Sequence, residues 1–152
     1  MSGPLLTSAC GDDPGECDAM EAIERIEGDG KPIAIIVRND FTKPGVTFFS
    51  PNDFSQQLGI LVHSPGHEVK AHVHNVIARD VRVTQEVLHV IEGKMEITLY
   101  TENKEFITSR ILNRGDTVLL AYGGHGIKIL EPTKILEVKQ GPYAGKEDKE
   151  FF

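Results

Sequence analysis

From residue 32 onward the chain is a succession of short β-type runs broken by turn chemistry, and this rhythm limits what it can fold into. "PIAIIVR", "GVTFF", "QLGILVH", "EVKAHVH", "TQEVLHVIE", "KMEITLY", "EFITSRIL", "TVLLAY", "GIKIL" and "KILEVK" are rich in Val, Ile, Leu, Phe, Thr and Tyr. Between them stand "TKPG", "SPG", "EG", "ENK", "NRGD", "GGHG" and "EPT", in which Gly, Pro, Asn and Asp supply the backbone angles of tight turns. About ten short strands at this spacing predict an all-β sandwich or barrel. No repeat or low-complexity segment interrupts them.

At 152 residues the chain has the length of one domain, large enough to bury a core. Its charge divides it further. Residues 1–30 hold eight acidic residues against Arg25 alone, which accounts for the whole net charge of −7, while residues 31–152 balance. The expected organisation is an acidic N-terminal arm over 1–30, a barrel over 31–140 and a tail over 141–152 that begins where Gly141-Pro142 breaks the strand pattern. Within the arm, "GDDPGE" is too polar to order itself. Asp18, Glu21 and the spacing of Met20, Ile23 and Ile26 predict a short helix over 19–27 closed by Gly28, with an extended segment as the alternative. Phe151 and Phe152 end the tail as an aromatic pair suited to pack on the barrel or on a partner subunit.

These features exclude several classes. Without a basic stripe to neutralise phosphates, nucleic acid is not expected as a partner. No apolar run reaches membrane-spanning length and the first residues lack a signal-peptide profile, so a cytoplasmic protein without a membrane partner is expected. Cys10 and Cys17 do not match the usual zinc spacings and read as free thiols. There is no nucleophile elbow, and Gly123-Gly124 does not lead from a strand into a helix as a phosphate loop does.

The chemistry concentrates around "KAHVHN", residues 70–75. Were this a strand, its alternation would aim His72 and His74 to the same side, either as half of a metal site or as two ordinary polar residues. Three further positions bear on the choice. Gly66 lies six residues before His72, Glu86 opens "EVLHVIEG" with Gly93 closing it, and Gly115 precedes His125 by ten residues. Strands distant in sequence face one another across a β-barrel, so these residues can converge. Three imidazoles and a carboxylate suit a borderline divalent ion such as Fe, Mn, Ni, Co, Cu or Zn.

The arrangement Gly66-x5-His72-x-His74, then Glu86-x6-Gly93, then Gly115 and a glycine-rich turn before His125, resembles the two motifs of the cupins over roughly residues 55–140. The resemblance implies a double-stranded β-helix, or jelly-roll, barrel and a metal held by His72, His74, Glu86 and His125. Departures are also visible. The family usually has three or four residues between the second histidine and the glutamate, whereas here "NVIARDVRVTQ" supplies eleven. Ala121 stands where the second motif carries proline, the family's histidine would fall at Gly126, and its asparagine is replaced by Ile129 or Leu130.

Counting by twos places Leu88 and Val90 on the interior face with Glu86, and Ile127 and Ile129 with His125, leaving His89 and Lys128 outward. The long insertion is expected to form a flap or extended hairpin at the barrel mouth. It would offer Arg79 or Arg82 to an anionic group of a substrate, or pack on a dimer partner. Lys70 shares the parity of His72 and is the third candidate for substrate binding, while His63 and His67 are expected to be exposed.

The resemblance implies a metal-dependent enzyme acting on a small oxygenated metabolite by oxygenase-type or isomerase-type chemistry. Glu86 would then be a ligand that is also available as a proton acceptor. Two alternatives stay open. One is a non-catalytic cupin that captures a small ligand or metal. The other is a sugar or sugar-nucleotide isomerase or epimerase of a surface-polysaccharide pathway, a ranking to which the "EVKQGPY" tail contributes by a faint similarity. A homodimer is expected, as is common among cupins.

Overall fold

A computed structural model describes residues 22–152 as ten β-strands and one short 3-10 turn. The strands are β1 (Ile23–Gly28), β2 (Lys31–Val37), β3 (Gly45–Phe48), β4 (Gly59–Val62), β5 (Glu86–Glu92), β6 (Lys94–Tyr100), β7 (Phe106–Asn113), β8 (Thr117–Leu120), β9 (Gly124–Ile129) and β10 (Lys134–Lys139). They form three antiparallel sheets, a five-stranded one in the order β1-β2-β8-β5-β10, a two-stranded one of β3 and β4, and a three-stranded one in the order β7-β6-β9. The expected all-β class is present. Among the described residues no ladder joins one sheet to another, so the strands make a layered sandwich and not a closed barrel.

Two apolar clusters explain the layering. Between the five-stranded and three-stranded sheets lie Ile26, Ile36, Leu88, Val90, Met95, Ile97, Leu99, Leu112 and Val118, all buried. On the other face of the five-stranded sheet, Ile35, Val37 and Leu119 meet Phe41 and Phe49, with Phe54, Leu58 and Ile60 packed around them. The inner strand β2 is thus covered on both sides, which is why "IAIIV" is an unbroken apolar run. Ile33 is skipped in the β1–β2 register, as Ile26 pairs with Ala34 and Glu27 with Pro32. This bulge lets Ile33 and Ala34 both reach the first cluster.

The chain turns between sheets where glycine permits it. Gly93 (φ 84°) carries the backbone from β5 directly into β6, in a different sheet, and a Cβ there would stand 2.2 Å from the carbonyl oxygen of Pro132. Asp116, buried in the β7–β8 turn, accepts hydrogen bonds from the backbone N–H groups of Asn39 and Asn113 and from Arg38. Arg38 also pairs with Glu24, whose second carboxylate oxygen accepts from Nε of Arg110 at 2.6 Å. Glu24 thereby ties the first hairpin to β7 of the facing sheet.

Three expectations change. Residues 23–28 form strand β1 and not a helix; the rest of the predicted helix, 19–21, lies outside the described residues. The cause is the turn Asp29-Gly30, both at positive φ (52° and 71°), which folds β1 back onto β2 as a two-residue hairpin. "EVKAHVH" is not a strand, and the insertion after it forms no hairpin. Among the described residues, 67–83 have no ladder partner and are exposed throughout, so the alternation of the segment has neither a paired edge nor a covered face there. Among the described residues no helix is long and apolar enough to cross a membrane.

Candidate functional site

Glu86 and His125 come from different sheets and meet. Glu86 opens β5, opposite Leu120 of β8 on one side and Lys139 of β10 on the other. Its position is set by Gln85, buried just before it. The Gln85 backbone N–H donates to Gln140, and its side-chain oxygen accepts from Ser55 and from the N–H of Gln56. His125 lies on β9 in register with the buried Leu99, so its ring faces between the sheets. Nε2 of His125 is 3.1 Å from Oε2 of Glu86.

Cations ring the carboxylate. Nζ of Lys139 is 3.6 Å from its Oε1 and Nζ of Lys149 is 3.9 Å away. The hydrogen bond from His125, against the penalty of burial and with the charges of His125, Lys149 and Lys139, holds the Glu86 carboxyl below the usual carboxylate range. The group is an anion at neutral pH, acceptor only, and aimed into a cleft of about 470 Å³.

Thr84, Tyr122, Gly123 and the C-terminal residues 148–152 wall that cleft. The tail is fastened there by three contacts. The Phe152 ring stands edge-on to Tyr100 with centroids 5.1 Å apart, and Lys104 both pairs with Glu150 at 2.7 Å and lies over the Phe152 ring at 5.6 Å. The aromatic end of the tail therefore packs back on its own sandwich.

Glu86 and His125 fit neighbouring positions on one metal ion. Imidazole and carboxylate donors each about 2.1 Å from an ion and at right angles to one another stand about 3 Å apart, close to the separation observed. His72 and His74 stand elsewhere, on the exposed segment, their rings edge-to-face at 5.3 Å. Nδ1 of His72 is 2.8 Å from the carbonyl oxygen of Lys70, which can only accept, so Nδ1 carries the proton and Nε2 is free to bind a metal. Among the described residues no three His, Cys, Asp or Glu side chains form a metal-binding group. Cys10 and Cys17 lie outside them.

The other predicted positions divide. Leu88 and Val90 are buried beside Glu86, whereas Ile127 and Ile129, in register with buried Ile97 and Met95, are 43% and 52% exposed because β9 is an edge strand. His89 is half-buried, with Nδ1 2.9 Å from Oγ1 of Thr117, and His63 and His67 stack face to face in solvent. Arg79, Arg82 and Lys70 are exposed and do not line the cleft, and Arg82 is paired with Asp80 at 2.6 Å. Sequence reasoning did not select Lys139, Lys149, Tyr122 or Gln85. The alternation of "KILEVKQ" was the available signal for Lys139 only, since it needs the β5–β10 register to be placed beside Glu86. Comparison with protein-family models, curated proteins and solved structures finds no match for this chain.

Proposed function

We propose that this protein is a metal-binding cupin whose site is built on Glu86 and His125 and completed by His72 and His74. The reading takes the sandwich as an opened jelly roll in which residues 67–83 supply the missing strand. The observation that carries it is the His125–Glu86 contact, in which two ligand-type atoms from facing sheets stand at ligand spacing in a cleft. The segment bearing His72 and His74 leads into that cleft, since Val83 and Thr84 line it.

A divalent transition metal, one of Fe, Mn, Ni, Co, Cu or Zn, would act as a Lewis acid on a chelating small oxygenated metabolite or support oxygen chemistry on it. Glu86 supplies an oxygen donor that is ionised at neutral pH, and its buried position limits competition by water. Oxygenase-type or isomerase-type chemistry on a small acid or sugar fits a cleft of this size. The exposed apolar side chains Val46, Phe48 and Leu61, on one face of the two-stranded sheet, support a homodimer.

Elemental analysis of protein purified without an affinity metal column tests the reading, followed by oxygen-uptake and isomerisation screens. About one equivalent of transition metal per chain, lost in Glu86→Gln, is the expected result. A wild-type protein that binds no such metal when it is offered would refute it.

A second reading rests on the same pair. Glu86 and His125 are in direct contact with lysines around them, an arrangement able to move a proton without metal as sugar or sugar-nucleotide epimerases do. Activity that survives exhaustive chelation and is lost in His125→Ala would select it.

A further inference from the structure

Residues 149–152 form one wall of the cleft that holds Glu86 and His125, and side chains alone keep them there. Among the described residues, no backbone–backbone hydrogen bond joins them to the sandwich, whereas every strand is fixed by a ladder. The last firm anchor before them is Asp148, which ends the 3-10 turn and stands 3.9 Å from Lys139 of β10. Beyond it the chain runs extended from Lys149 to Phe152. Its ties are the Lys104–Glu150 ion pair at 2.7 Å and the Phe152 ring, which meets Tyr100 and Lys104. Both are solvent-facing contacts, since Phe152 remains 64% exposed and Phe151 90%. A segment held by few and exposed side-chain contacts opens at far lower cost than a laddered strand.

The ring has a built seat beside the site. A Cβ on Gly124, the residue before His125, would stand 2.9 Å from Cζ of Phe152. Gly123 has a positive φ of 73°, but Gly124 does not, so the backbone there admits any side chain. What the missing side chain provides is room for the Phe152 ring. The strap also carries charge, because Nζ of Lys149 lies 3.9 Å from Oε1 of Glu86.

We propose that residues 149–152 are a strap that opens and closes the Glu86–His125 cleft, with the Phe152 ring as its latch and Gly124 as the seat of that latch. Lifting the strap removes a wall of the cleft and takes Lys149 away from Glu86. Access and the charge around the carboxylate therefore change in one movement. The inference holds for either reading of the Glu86–His125 pair, because it uses only contacts within the chain.

Hydroxyl-radical footprinting of the full chain, read residue by residue by mass spectrometry, tests it. Wild type, Gly124→Ala and Phe152→Ala are compared. The first variant blocks the seat while keeping the ring and every charge, and the second removes the ring. Tyr122 and His125 report on the cleft, exposed His63 serves as the surface reference and fully buried Met95 as the core reference. Labelling of Tyr122 and His125 is expected to rise about fivefold in both variants, with His63 and Met95 unchanged. Unchanged labelling of Tyr122 and His125 in Gly124→Ala overturns the proposal. A parallel rise at Met95 also overturns it, because the tail would then be a structural part of the sandwich and not a strap upon it.

Discussion

Nε2 of His125 and Oε2 of Glu86 stand 3.1 Å apart although their strands belong to different sheets. The contact depends on two registers, His125 opposite Leu99 and Glu86 opposite Leu120, that aim both side chains into the gap between layers. If either strand slipped by one residue its side chain would turn to the other face and the pair would be lost.

Metal is expected to order the segment that carries His72 and His74. Lys70, Arg79 and Arg82 are exposed there and should be cut rapidly by trypsin in the metal-free protein. Saturating Zn2+ or Mn2+ should slow cleavage in this segment at least about tenfold in wild type and leave His74→Ala unprotected. Equal cleavage with and without metal would count against the recruitment of these histidines.

The acid limb of stability should depend on Glu24. Burial raises its carboxyl, but hydrogen bonds from Arg110 and Arg38 and their charges more than offset this and leave it below its ordinary value of 4.5. Because the folded group titrates below the unfolded one, its contribution is complete above 4.5 and is lost as pH falls through the folded value. Glu24→Gln is expected to cost about 1–3 kcal/mol at pH 7 and to flatten the dependence of melting temperature on pH below that point. An unchanged acid limb would contradict the role given to this ion-pair network.

Gly93→Ala should be far more damaging than a surface substitution. It places a Cβ 2.2 Å from the Pro132 carbonyl oxygen at a residue with φ 84°, where β5 crosses to β6. A loss of about 1–3 kcal/mol in urea unfolding is expected. A loss below about 0.5 kcal/mol would show that this corner relaxes freely.

Leu99→Ala tests whether the cluster between the two larger sheets is the main core. Leu99 is fully buried and lies opposite His125. Truncation is expected to cost about 2–5 kcal/mol. Loosening of β9 should also reduce metal uptake in protein that remains folded, a joint effect that a stability measurement and a metal assay can follow in the same samples.

Much of the architecture was legible because strand and turn chemistry are local. "KMEITLY" and "TVLLAY" declare themselves by alternation and by β-branched or aromatic content, and both are strands, β8 ending at Leu120. Local patterning also misled. Met20, Ile23 and Ile26 have helical spacing, but the Asp29-Gly30 turn and the long apolar run of β2 recruit residues 23–28 as a partner strand. "EVKAHVH" alternates as a strand should, yet a strand exists only where an edge receives it, and none among the described residues does so. Glu86 and His125 were picked out by their spacing to glycines, and the structure brings the two into contact. Lys139 and Lys149 were not, because their closeness to Glu86 arises from a ladder and a tail placement that no short motif encodes.

X-ray absorption at the metal edge of protein loaded with one equivalent of Zn2+ tests the central claim most directly. The account predicts three imidazole nitrogens and at least one carboxylate oxygen at about 2.0–2.2 Å, with one imidazole lost in His125→Ala and one in His72→Ala. A first shell without imidazole, or one unchanged by both substitutions, would contradict it.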